Sequence, residues 1–521
     1  MNVAISCQDL AVLMASDRLY AVFDVRERGA YNECQIPNAT SLPRSQIEVR
    51  VAELVPDRDV PIVVYDEGGA RAPLAAATLL RLGYRQVSIV NGGLSAWQAQ
   101  DRATVSGVNV PSKAFGERVH HERNIPDLTA EELKSLKDQK ANLLILDART
   151  PEEYGRFCIP GAINVPGGDL ILWVDELKRQ RDATVIVNCA GRTRSIIGAA
   201  ALRRLGLTHV RALRNGTMGW VLAGFDLENK PARTAPPAPE GSRESATALA
   251  RQLAEEEQIP WISSQDLARL IGLKGRMNYL IDVRSEVEYA AGHLPGSINV
   301  PGGQAVQRAD DFIAVRNAPI VFISNDSTRA VMAAYWYRQM SFSHVVVLQG
   351  GLRAWSESGG SIEKGAVRDE PLTLEAAKRI TRLVDARTLK EKMQNGSLLI
   401  LDVGTSLDFE TGHVPGAKWL SRGWLELKLA EPYADRKQSI ALTCLDARQS
   451  TLAALTLAEM GYTDVAVLDG GVRAWSTAGL PTEQGVEGCL GERNDVVLSP
   501  SIRGTKEDMQ RYLDWELKLQ K

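Results

Sequence analysis

Leu143-Leu144-Ile145-Leu146-Asp147-Ala148-Arg149 is a short apolar run that ends on Asp-x-Arg. The motif recurs at Asp24-Val25-Arg26 and Asp282-Val283-Arg284, and in degraded form at Asp402-Val403-Gly404. An aromatic residue stands seven positions after each Asp (Tyr31, Tyr154, Tyr289, Phe409), and a proline six positions later (Pro37, Pro160, Pro295, Pro415). A Gly-x-x-x-Trp pattern ends at Trp97, Trp220, Trp355 and Trp475, always 73 residues after the Asp. Unrelated stretches would not share that distance, so the chain is one unit written four times.

The length agrees: 521 residues at ~100–200 per domain predict three or four domains. The expected copies span residues 1–105, 118–228, 255–362 and 375–485, with a linker at 229–254 and a tail at 486–521. The linker opens with the Pro-rich segment Lys230–Glu240, expected to be semi-rigid. Apolar residues make up 44% and charged residues 24%, which excludes a mostly disordered chain. Sixty-one basic against 64 acidic residues leave no surplus to neutralise phosphates, so no nucleic-acid partner is expected. No run approaches the ~18–20 apolar residues of a membrane span, and the first ten residues lack a signal-peptide pattern, so a cytoplasmic protein away from membranes is expected. The six cysteines are scattered without a CxxC, and neither a disulfide framework nor a metal site is expected.

Within the second copy the pattern is α/β. Leu143–Leu146 and Thr184–Asn188 read as short apolar strands, Ser195–Leu205 as a helix closed by Gly206, and His209–Leu213 as a third strand. Alternating strands and helices predict a small, mostly parallel sheet covered by helices on both faces. Ligands of such sheets sit at the carboxyl ends of strands, where the turn between Asn188 and Ser195 falls.

That turn is Cys189-Ala190-Gly191-Arg192-Thr193-Arg194. Its first position lies 42 residues after the repeat's Asp in each copy and holds Asp66, Cys189, Ser324 and Cys444. A thiolate is the nucleophilic form of cysteine, and helix N-termini and nearby arginines favour it. Consecutive backbone N–H groups in such a turn also form an anion nest. With Arg192 and Arg194 alongside, the turn suits an anionic, thiophilic substrate.

These residues, with Glu153-Tyr154, the segment Ile159–Pro166 and Asn215-Gly216 through Trp220, resemble the rhodanese (sulfurtransferase) family. The third copy carries the second element more fully, as Glu288-Tyr289 and Gly292–Pro301. The resemblance covers nearly the whole chain as four tandem domains. It implies attack of a cysteine on the sulfane sulfur of thiosulfate or of a persulfide or polysulfide. The sulfur is then held as a cysteine persulfide and passed to a thiol or protein cysteine, without a cofactor. Cys189 matches the nucleophile, Ala190 through Arg194 the substrate cradle, and Arg149 an arginine that either reaches the substrate or anchors the loop. A related fold carries Cdc25-like phosphatases and arsenate reductases. They use Cys-x5-Arg, whereas Arg194 here follows Cys189 after four residues and Arg448 follows Cys444 after three. The shorter loops suit a sulfur atom better.

Copy four carries one arginine, Arg448, and an Asp in its loop, and Gly404 replaces the domain arginine, so Cys444 is a nucleophile for a different donor, a relay for sulfur, or degenerate. Asp66 and Ser324 are expected to be inactive. The silent–active–silent–active order resembles a two-domain sulfurtransferase written twice, which predicts that copy one packs against copy two and walls its cleft. Cys158 replaces His293 and His413 and is read as a buried substitution, with resolution of a persulfide as the alternative. Cys7, Cys34 and Cys489 carry no role in this reading. The amphipathic stretch Lys506–Leu517 is expected to dock on copy four, with binding of a partner as the alternative. The alternative function is a sulfur carrier or scaffold that does not turn over small donors.

Overall fold

The computed structural model describes residues 3–231, 233, 237–238, 240–273, 277–366, 370–394 and 398–519. Residues 232, 234–236 and 239 of the Pro-rich linker therefore lie outside the described residues.

Every copy folds into the expected α/β unit. In the second, the strands run Asp127–Leu128, Val210–Leu213, Thr184–Asn188, Leu143–Asp147 and Ile163–Asn164 across the sheet, all parallel. Thr184 pairs with Leu143 and Asn188 with Asp147, so the Asp of the repeat and the start of the loop share one sheet end. The helix after the loop is Thr193–Arg204, which begins two residues earlier than expected, and Gly206 ends it at φ +93°. Copies three and four repeat the strand order, as do the corresponding five strands of copy one.

The repeated tryptophans are core anchors. Trp97, Trp220, Trp355 and Trp475 are buried, and each indole N–H donates to the carbonyl six residues on, at 2.8–2.9 Å. Around Trp220 lie Leu128, Ile145, Ile186 and Leu213 from the sheet. The glycine of the same motif backs the loop: Gly216 has φ +53°, and a Cβ there would lie 2.2 Å from the Cys189 carbonyl oxygen.

The pairing of the copies corrects the sequence expectation. One compact unit joins Met1–Gly107 with Arg368–Val497, and the other is Val108–Val367 with Leu498–Lys521. Copy one therefore belongs with copy four, and copy two with copy three. The cause lies twenty and twenty-one residues after each repeat Asp. In copies two and three these positions are Gly167-Gly168 and Gly302-Gly303, whose backbones touch; a Cβ on Gly168 would fall 2.9 Å from the Gly302 Cα. In copies one and four they open with Arg44 and Arg422, which reach across the seam. Arg44 Nη2 meets Glu426 at 2.7 Å, and Arg422 Nη2 meets Glu48 at 2.7 Å and the Ser45 carbonyl at 2.6 Å. A glycine surface and an arginine surface each fit only their own kind.

The segments between copies are helical. Val110–Glu122 packs on Thr193–Arg204, Glu240–Glu256 on Thr328–Gln339, and Leu374–Ile380 on Arg448–Glu459. Much of the expected linker at 229–254 is thus a helix that buries Ala246, Ala250, Leu253 and Ala254. The tail also departs from expectation. Its helix, Lys506–Lys518, docks on copy two, where Met509 and Leu513 pack against Met218 on the helix Gly216–Leu222.

Candidate functional site

Copy one displays what the loop does to a negative charge. Asp66 Oδ1 accepts the N–H groups of Gly68 and Gly69 at 2.7 and 2.9 Å, and Oδ2 accepts that of Ala72 at 3.0 Å. In copy one the loop amides converge on the group that its first residue projects, as a nest does. In copy three the same amide, six residues on, reaches Ser324 Oγ at 3.3 Å, and in copy four it reaches Cys444 Sγ at 3.4 Å. In copy two the Cys189 thiol donates to Ser195 Oγ at 3.5 Å, and Ser195 donates to the Arg192 carbonyl at 2.7 Å. The loop is pinned from behind, because Thr217 N–H donates to the Cys189 carbonyl and Met218 N–H to that of Ala190.

The two loop arginines are present and both are neutralised. Arg192 makes a buried ion pair with Glu117 at 2.5 Å, and Arg194 meets Glu153 at 2.6 and 2.8 Å. Glu153 doubles as the capping-box residue of the helix Pro151–Arg156, held by Thr150. Arg194 keeps its carboxyl down at about 2, against the burial that acts to raise it. Arg149 is anchored: its Nε and Nη2 grip Asp147 at 2.8–3.2 Å, and Nη2 also donates to the Phe157 carbonyl. Its Nη1 takes no hydrogen bond among the described residues. In copy three the matching Nη1 of Arg284 bonds Asn325, the second loop residue, which shows that this nitrogen points at the loop.

Two groups that sequence reasoning did not single out complete the surroundings of Cys189. Lys113, on the helix Val110–Glu122, is buried with its ammonium over the rings of Tyr512 and Trp515, 4.3 and 5.3 Å from their centroids. Burial lowers its pKa, while Glu516 and Cys189 act the other way. Glu516, on the C-terminal helix, is 1% exposed and accepts from Thr193 Oγ1 at 2.7 Å. The capping box Thr150-x-x-Glu153 was a legible signal for Glu153. Nothing in the sequence signalled Glu117, Lys113 or Glu516, which reach the site only through tertiary packing.

Copy four is differently built. Arg448 points outward onto Asp446, with half its side chain exposed. Gln449 stands at the position of Arg194 and accepts from Arg422 at 2.8 Å. Burial raises the pKa of Cys444. Without an arginine at Gly404, the buried Asp402 carboxyl is pushed up to about 7. Trp419 stands at the position of Asn164, and its indole N–H donates to the Gly404 carbonyl at 3.0 Å, where Asn164 Nδ2 reaches the Arg149 carbonyl in copy two. Cys158 lies in the core of copy two beside Tyr154, at the place where His293 stacks on Tyr289 and His413 on Phe409.

The comparisons agree with this architecture. The family model for the Rhodanese-like domain matches residues 6–100, 129–223, 263–358 and 385–478. A crystal structure of thiosulfate sulfurtransferase from Pseudomonas aeruginosa superposes with a TM-score of 0.91 at 39% identity, covering 99% of this chain and 97% of that one. The 3-mercaptopyruvate sulfurtransferase of Escherichia coli (strain K12) is 28% identical over 40% of this chain and 82% of its own length. A sulfurtransferase of Allochromatium vinosum is 34% identical over 18% of this chain and 85% of its own. Among the described residues no helix is long and apolar enough to cross a membrane.

Proposed function

We propose, from the premise that the chain belongs to the rhodanese family, that it is a sulfurtransferase whose Cys189 carries sulfane sulfur between a donor and a thiol. The observation that carries this reading is the cradle of loop amides closed around the first loop residue, visible where Asp66 fills it with a carboxylate. The loop that Cys189 opens occupies the same place in copy two, and its amides are positioned to receive the terminal sulfur of a persulfide.

The Cys189 thiolate attacks the outer sulfur of the donor. A new S–S bond forms, the donor's own bond to that sulfur breaks, and the leaving group departs with the electron pair. It is sulfite from thiosulfate, or a thiolate from an organic persulfide. A thiol or protein-cysteine acceptor then takes the sulfur and frees Cys189, the two-step pattern of covalent catalysis. Arg149, Arg192 and Arg194 hold the loop in shape through Asp147, Glu117 and Glu153. The Ala190–Arg194 backbone is the binding surface. Cys444, whose thiol burial keeps protonated, and Arg448, which faces away, fit a subsidiary role in copy four.

The test is the intact-protein mass after treatment with thiosulfate or a polysulfide, on wild type, Cys189→Ser and Cys444→Ser. A gain of one sulfur that cyanide removes, absent in Cys189→Ser and retained in Cys444→Ser, is the expected result. Loading that persists in Cys189→Ser overturns the assignment.

A further inference from the structure

The enclosure around Cys189 holds three ion pairs and two charges of opposite sign that make no ion pair among the described residues, although Glu516 favours the charged form of Lys113. Arg149 is matched by Asp147, Arg192 by Glu117 and Arg194 by Glu153. Lys113 and Glu516 remain. The Lys113 ammonium meets aromatic faces and has no hydrogen bond or ion pair among the described residues. Glu516 spends Oε1 on Thr193, while Oε2 is buried without a partner. That oxygen lies over the loop, 3.3 Å from where a Cβ on Gly191 would be. A buried acceptor without a hydrogen bond is costly, the more so when charged, so a donor placed beside Oε2 would be favoured. The helix carrying it is held by Met509 and Leu513 on Met218, by Thr193 on Glu516 and by Lys113 over Tyr512 and Trp515.

Resting on the reading of Cys189 above, we propose that Glu516 is a specificity-determining residue of this site. It selects sulfur donors that carry an ammonium group, namely persulfides of small amino-acid thiols, over the thiosulfate dianion. The ammonium of such a donor gives Glu516 Oε2 its missing hydrogen bond, and Lys113, one helical turn away along Tyr512 and Trp515, faces the donor's carboxylate. The persulfide donor R–S–SH passes its outer SH to Cys189 and leaves as R–S⁻ with the electron pair of the broken bond. Thiosulfate brings two negative charges to a loop whose arginines are already neutralised and whose mouth holds a carboxylate, so it is disfavoured.

The experiment compares kcat/KM for cysteine persulfide, N-acetylcysteine persulfide and thiosulfate in wild type and Glu516→Gln. Gln keeps the acceptor for Thr193 and puts an uncharged NH2 donor in place of Oε2, so it can no longer accept from an ammonium. Wild type is expected to favour cysteine persulfide over its N-acetyl form by about tenfold, as a charge-assisted hydrogen bond predicts. Glu516→Gln is expected to abolish that preference and to raise the thiosulfate value. A ratio among the three donors that is unchanged in Glu516→Gln overturns the inference. So does equal use of the amine and N-acetyl donors by wild type, while sulfur loading at Cys189 itself stands. A Cys189 that no donor loads, read by intact mass, overturns the parent reading and this one with it.

Discussion

Glu153 holds Arg194 through two hydrogen bonds of 2.6 and 2.8 Å, and Glu288 holds Arg329 in copy three with the same two lengths. The pair therefore belongs to the architecture of the loop, whether or not its first residue is a cysteine. Copies two and three share the pair although their loops differ at the first four positions, Cys189-Ala190-Gly191-Arg192 against Ser324-Asn325-Asp326-Ser327.

That pair fixes an acid dependence. Arg194 depresses Glu153 to about 2 from an ordinary 4.5. A carboxylate depressed in the folded state contributes stability that is complete above its unfolded pKa and lost as pH falls through the folded one. Glu153→Gln is therefore expected to cost on the order of 2 kcal/mol at pH 7, allowing for partial exposure of the carboxylate. The gap to wild type should narrow between pH 4.5 and 2. Urea midpoints at pH 7 and pH 3 check this, and an equal gap at both would refute it.

Asp402 gives the opposite sign. It is buried without an arginine and raised to about 7, so the folded state holds its proton more tightly than the unfolded chain does. Stability from this group falls as pH rises from about 4 to about 7. Asp402→Asn can keep an acceptor for the Gly404 N–H and a partner for Thr443. It should match wild type at pH 4 and exceed it by about 3 kcal/mol at pH 8, measured by denaturant unfolding.

Arg149→Gly leaves Asp147 buried and unpaired, and should cost about 3–5 kcal/mol. Adding Asn164→Trp copies the Gly404–Trp419 arrangement of copy four. A double-mutant cycle should then show the second change recovering at least about 1 kcal/mol. Additive losses would mean that Trp419 does not replace what the arginine supplied.

At the seam of copies one and four, Arg422→Ala strands the Glu48 carboxylate and should destabilise the protein by about 3–5 kcal/mol. Removing both charges together, Arg422→Met with Glu48→Leu, should cost less than the single change. Sulfur loading at Cys189, in the other unit, should be unaffected by either.

The four-fold repeat, the parallel sheets and the loop at the strand ends were all legible in the sequence. Fixed spacing is a global constraint that local ambiguity cannot hide. The partnership of the copies was misread, although its signal was present. Pro166-Gly167-Gly168 and Pro301-Gly302-Gly303 share one chemistry, and Arg44 and Arg422 share another. The destination of the tail was not legible, because the stripe Met509–Leu513 states only that something apolar covers it. Glu117, Lys113 and Glu516 lie 72, 76 and 327 positions from Cys189, beyond any local pattern.

The nested pairing has a consequence for how the protein is born. As the ribosome releases the chain from its N-terminus, copy one emerges first and its partner last, with the Val108–Val367 stretch made in between. At about 5–20 residues per second, the Arg44 and Glu48 face of copy one waits uncovered for roughly 20–80 seconds, until copy four has also been made. Copies two and three meet almost at once, like the inner of two brackets. Newly made copy one is thus the segment most exposed to wrong partners, including copy four of a neighbouring nascent chain on the same message.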